Sequence, residues 1–68
     1  MAKEIVTERD LVKIFKALAN KRRVAILKYL KTKKSASVGT IAGYLKLSLP
    51  STSKHLNILY LADILDKE

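Results

Sequence analysis

Acidic residues are missing from most of this chain. Between Leu11 and Ala62 there are eleven Lys or Arg and not one Asp or Glu. All six acids lie outside that stretch, at Glu4, Glu8, Asp10, Asp63, Asp66 and Glu68. Cysteine is absent, which excludes a disulfide framework and any thiolate metal site. One histidine, His55, cannot build a metal site of its own, so no metal effector and no cofactor are expected. It also has no nucleophile or second acid beside it, and the chain carries no glycine-rich phosphate loop, so an enzyme is set aside. There is no tryptophan, and Asn57 and Asp63 interrupt the longest apolar run. Nothing spans a membrane, and Met-Ala-Lys-Glu is not a signal sequence, so the expected location is cytoplasmic.

What remains is basic and apolar in nearly equal emphasis. The chain has 68 residues, 49% of them hydrophobic, and a net charge of +8. This length predicts a single domain over residues 1–68, and a marginal one. A core of this size rarely supplies more than about 3–5 kcal/mol, so idealised helix packing or a partner chain is expected. A fifty-two-residue stretch without an acid points to an anionic partner, of which a polyphosphate is the commonest. The plain alternative is a solvated surface that happens to be basic.

The periodicity predicts four helices. Thr7 is the candidate cap of the first, with Asp10 in the reciprocal position of a capping box and Val6 and Leu11 spaced as a hydrophobic staple. Leu11, Ile14, Phe15 and Leu18 then repeat as an apolar stripe, ending near Ala19. Asn20 caps a second helix running to about Lys31, its core face Val24, Leu27 and Leu30 with Ile26 on the shoulder. Thr32 to Ala36 reads as a loop. Ser37 caps a third helix in which Val38, Ile41, Ala42 and Leu45 face inward. Gly39 and Gly43 sit inside it at about 0.8–1.0 kcal/mol each; either another backbone packs closely there or the helix is weak. Lys46, Leu47 and Ser48 form a turn, and Ser48 caps a fourth helix, with Pro50 in its first turn. That helix is expected to stop near Tyr60, followed by an extended Ile64-Leu65.

Leu47 to Leu59, L-S-L-P-S-T-S-K-H-L-N-I-L, carries the functional signal. Leu49, Thr52, Leu56 and Leu59 fall on one predicted buried stripe, leaving Pro50, Ser53, Lys54 and Asn57 on the far side. A helix that must enter a groove of about 12 Å needs such a slim, hydrogen-bonding face. The two last helices and their turn have the spacing of a helix-turn-helix.

Two segments carry a family resemblance. L-A-N-K-R-R-V-A-I-L-K-Y-L (Leu18 to Leu30) and V-G-T-I-A-G-Y-L-K-L-S-L-P-S-T-S-K-H-L-N-I-L (Val38 to Leu59) resemble the helical part of an ArsR-type winged helix-turn-helix transcriptional regulator. Its Ser-x-His-Leu-x-x-Leu signature is matched by Ser53, His55, Leu56 and Leu59. The chain departs from the family in three places. Lys46 stands where the turn usually has glycine. Ala62-Asp63-Ile64 replaces Ala-Gly-Leu. The chain stops at Glu68, before the β-hairpin wing and the C-terminal helix many members use to dimerise, so it is either wingless or the front of a longer protein.

The expected fold is therefore all-α, a three- to four-helix helix-turn-helix domain, winged-helix-like with the wing missing or truncated. The expected function is sequence-specific binding of double-stranded DNA as a transcriptional regulator, repression being the plain mechanism. Pro50, Ser51, Ser53, Lys54 and Asn57 are the candidate base contacts, since Asn pairs with adenine and Ser reaches several base edges. Lys33, Lys34, Ser37, Thr40, Lys46, Ser48 and His55 are the candidate phosphate contacts. His55 has an equal claim to a packed or hydrogen-bonded role, and Lys33 and Lys34 to keeping a turn wet. Arg23 reads as a structural group binding carbonyls between helices, and the Thr52 hydroxyl as bonding back within its helix. A homodimer is expected from Ile5, Val6, Ile58 and Leu61, which lack obvious intrachain partners. The rival readings are a protein-interaction module on a helix-turn-helix scaffold and a membrane-surface peptide.

Overall fold

Four helices follow one another across short turns: α1 (Glu8–Leu18), α2 (Lys21–Lys33), α3 (Val38–Leu45) and α4 (Leu49–Leu61). A computed structural model describes residues 7–66, and no strand occurs among them. Each helix starts at a side chain that satisfies free backbone N–H groups. The Thr7 hydroxyl accepts from the Asp10 N–H at 3.1 Å, and the Asp10 carboxylate accepts from the Thr7 N–H at 3.1 Å. These bonds hold the Asp10 carboxyl below its ordinary range. The Asn20 side-chain oxygen takes the N–H groups of Arg22 and Arg23 at 3.0 and 3.1 Å. Ser37 accepts from Thr40 at 3.1 Å and Ser48 from Ser51 at 3.2 Å. Each cap contributes about 0.5–2 kcal/mol. Val6, the other half of the expected staple, and Ile5 lie outside the described residues.

The core sits where α2, α3 and α4 meet. Ile26 and Leu59 are completely buried, and Ile41 and Leu56 nearly so. Thr52 is buried as well, its hydroxyl donating to the Ser48 carbonyl at 2.9 Å. A buried hydroxyl without a partner would cost about 1–3 kcal/mol, and this bond removes that cost.

Several expected core positions lie elsewhere. On α2 it is Ile26 that is sealed, while Val24 is 40% exposed. The helix is rotated so that the expected shoulder faces both α3 and α4. Leu49 is 55% exposed because α4 meets its neighbours from Thr52 onward. On α1 the buried residue is Ala17; Leu11 and Phe15 are exposed, and Ile14 and Leu18 are half-buried. Among the helices α1 packs chiefly on α2, and most of its apolar stripe extends beyond that contact. α2 continues to Lys33 and α4 to Leu61, so Thr32 and Lys33 are helical. Ile58 is half-buried against the core, whereas Leu61 is exposed.

Two helix ends use left-handed residues where glycine would be unstrained. Lys46 (φ 59°, ψ 45°) ends α3; its N–H donates to the Gly43 carbonyl at 3.3 Å and that of Leu47 to the Ala42 carbonyl at 3.0 Å. Asp63 (φ 58°) ends α4 the same way, with Asp63 N–H to Tyr60 and Ile64 N–H to Leu59, both 3.0 Å. This is the paired-bond ending of a Schellman motif. The second one corrects the expected extended Ile64-Leu65: the chain turns sharply and lays both side chains against the core. Two bonds at each end retain a conformation that costs an L-residue roughly 1–2 kcal/mol.

The glycines of α3 are not close-packing sites within the described residues. A Cβ at Gly43 would meet nothing within 4 Å, and one at Gly39 only the Ser37 hydroxyl at 3.9 Å. Both lie away from the core, so only their conformational freedom acts on stability. Gly39→Ala and Gly43→Ala are each expected to stabilise the fold by about 0.8–1.0 kcal/mol. The melting midpoint should rise by several degrees, at ~4–8 °C per kcal/mol. No rise in thermal denaturation would mean that these positions pack against something.

Candidate nucleic-acid interface

Burial of Thr52, Leu56 and Leu59 fixes the rotation of α4 and turns the opposite side to water. Pro50, Ser53, Lys54 and Asn57 are exposed there, while Ser51 is half-buried on the flank. Apart from Lys54 these are short groups, and Ser53 and Asn57 bring donors and acceptors without bulk. Leu61 continues the same face at the far end of the helix.

The candidate phosphate groups cluster at helix starts and turns. Ser37 and Thr40 share a hydroxyl–hydroxyl hydrogen bond of 2.9 Å at the start of α3. One hydroxyl proton of the pair serves that bond, leaving the other for a ligand. Lys46 and Ser48, both exposed, flank the turn into α4. Lys33 and Lys34 are exposed at the end of α2, and Lys34 is strained. Its φ is 72° and ψ −49°, and the Ser35 N–H donates to the Lys33 carbonyl at 2.8 Å. That is a three-residue turn of the rare, strained kind. The first turns of α2, α3 and α4 carry no acid, so the positive ends of three helix dipoles have no negative side chain beside them.

Arg23 joins three helices. Its Nε donates to the Ala17 carbonyl at 2.7 Å and its Nη2 to the Lys16 carbonyl at 3.4 Å. These bonds satisfy carbonyls at the end of α1, where a cation is favoured. Its Nη1 stands 3.5 Å from His55 Nδ1. The structural role expected for Arg23 is thus the observed one. His55 is half-buried on α4, beside Arg23. Partial burial, and then the charges of Arg23, Arg22 and Lys54, lower its pKa. With a neutral ring, Nδ1 can accept from Arg23 and the proton resides on Nε2. Tyr29 and Tyr44, whose rings lie 4.4 Å apart between α2 and α3, belong to no motif in the sequence. Lysines near them without a balancing acid were the available signal.

A short helix, a turn through a left-handed residue and a second helix with a polar outward face define a helix-turn-helix of the DNA-binding kind. Residues 20–67 match the family described as bacterial regulatory protein, arsR family, and the chain belongs to that family. It is a DNA-binding transcriptional regulator, of a family that is regulatory rather than enzymatic. No curated protein and no solved structure matches the chain. Among the described residues no helix is long and apolar enough to cross a membrane.

The lowered His55 pKa sets a direction for stability. The unfolded chain, with a histidine pKa near about 6.5, binds protons more readily than the fold does. The contribution is complete above that value and is lost as pH falls through the lower folded one. The urea midpoint should therefore decline between about pH 7 and 5, and His55→Gln should flatten this decline. Asp10 titrates in a lower range and leaves that window clear. An unchanged slope in the variant would contradict the assignment.

Proposed function

We propose that this chain is a sequence-specific repressor that inserts α4 into the major groove and occludes a promoter. Pro50, Ser51, Ser53, Lys54 and Asn57 face base edges. Lys33, Lys34, Ser37, Thr40, Lys46, Ser48 and His55 meet phosphates on either side. The observation that carries this reading is the outward face of α4: it is slender, polar and open, opposite a fully buried stripe. α3 crosses the backbone with its N-terminus toward phosphate, the usual docking of such a pair. Asn57 suits a bidentate pair with adenine, and Lys54 suits guanine. His55 donates from Nε2 while Arg23 holds Nδ1.

The regulator acts as a homodimer in this reading. One short helix recognises few base pairs, and two would sit about 34 Å apart on a palindrome. Support comes from α1, where Val12 is 50% and Phe15 64% exposed beside Leu11. An apolar face of this kind on a small basic domain is expected to be covered. Phe15→Glu should weaken dimerisation about 30-fold or more, as for an aromatic anchor worth about 2 kcal/mol. Sedimentation equilibrium reads the change, with helical circular dichroism as the control. An unaltered dimer would place the contact elsewhere.

DNA binding itself is tested by salt. Neutralising about five phosphates per protomer gives a log K against log salt slope near about −4.5 per protomer. Lys54→Ala and Asn57→Ala should change which sequence is preferred, by about 1–3 kcal/mol at the affected base pair. Lys33→Ala and Lys34→Ala should weaken all sequences alike and flatten the slope. If the two pairs behave identically in selection from a random duplex pool, α4 does not read bases.

A further inference from the structure

α2 carries Lys21, Arg22, Arg23, Lys28, Lys31 and Lys33 and no acid. Like charges three or four residues apart repel, and the chain supplies no acid to offset them between Leu11 and Ala62. Three of these lysines, Lys28, Lys31 and Lys33, gather around one open groove of about 580 Å³, completed by Thr32 and the Tyr29 and Tyr44 rings. The Thr32 hydroxyl is turned toward the Lys28 carbonyl, 3.4 Å away, so the lysines are the charged groups of this surface. The rings lie 4.4 Å apart at 36°, and Tyr44 is 60% exposed. The chain has only four aromatic residues, Phe15 and three tyrosines. Leaving Tyr44 so open in a small domain forgoes a large share of the burial an aromatic ring can contribute.

We propose that this groove binds a small anionic aromatic molecule, its ring against Tyr44 and its phosphate or carboxylate among the three lysines. Charge and shape both select that occupant. The lining offers cations and flat π-surfaces but no acid. Its volume lies within the roughly 300–1,000 Å³ usual for small-molecule sites. No residue of α4 lines the groove, so it is separate from the helix assigned to base reading. It is also not the His55–Arg23 contact. Lys33 alone is shared with the phosphate set. The site does not depend on DNA reading, because a ligand can be measured without DNA present.

The test is calorimetric titration of the full chain with AMP and with salicylate, each against its parts. AMP is compared with adenosine and inorganic phosphate, salicylate with phenol. At least one intact anion should bind saturably and about tenfold tighter than either part, since ring and charge are held at once. Tyr44→Ala and Lys31→Gln should each weaken binding about fivefold or more, whereas Tyr44→Phe should retain it because the stacking face survives. Both affected side chains are at the surface, and thermal melts verify that the variants fold. Phosphate binding as tightly as AMP, indifference to Tyr44→Ala, or no saturable binding of either anion would overturn the proposal. Loss of DNA affinity in Tyr44→Ala without any anion binding would also overturn it, and would assign the groove to the DNA interface.

Discussion

Which side of α4 faces water is decided by three side chains. Thr52, Leu56 and Leu59 are buried against the junction formed by Ile26 and Ile41, and a helix can satisfy such a stripe in only one rotation. Rotating it by a third of a turn would bring Asn57 inward, and by half a turn Lys54, each without a partner and, for the charge, at a desolvation penalty of several kcal/mol. The polar face is therefore held outward by the core. Completely burying a leucine or isoleucine contributes about 1.5–3 kcal/mol, a large share of the stability available to a domain this small.

Around that constraint the fold tolerates local strain. Lys46 and Asp63 occupy left-handed conformations, and Lys34 sits in a strained three-residue turn. Glycine would relieve each of these positions. Two of the three residues are lysines, both exposed. Arg23 works in the other direction. By tying the last carbonyls of α1 to α2 and standing beside His55, it links the helix with the most open apolar face to the helix with the polar face.

Much of this was legible in the residues. The four caps Thr7, Asn20, Ser37 and Ser48 depend on neighbours three positions away, so local sequence names them. The roles of Arg23 and of the Thr52 hydroxyl were also readable, since a long donor at a helix junction and a hydroxyl on a buried stripe each need an acceptor. The exposure of Phe15 was not legible, because a stripe shows which side is apolar and not whether anything covers it. Leu49 and Val24 failed for a related reason: their exposure depends on where neighbouring helices end. The Ile64-Leu65 turn was hidden by Asp63, which takes a conformation usually signalled by glycine. The Tyr29–Tyr44 groove brings together rings fifteen residues apart in sequence on two different helices, a separation that no local pattern reports.

The proposed regulator works only if the outward face of α4 lies against DNA. Amide and side-chain resonances of isotopically labelled protein, followed by NMR as a selected duplex is added, test this directly. The largest shifts are expected at Ser53, Lys54 and the Asn57 side-chain amide, smaller ones at Thr40 and Lys46, and little change along the exposed face of α1. Resonances of α4 that stay in place while those of α1 move would contradict it.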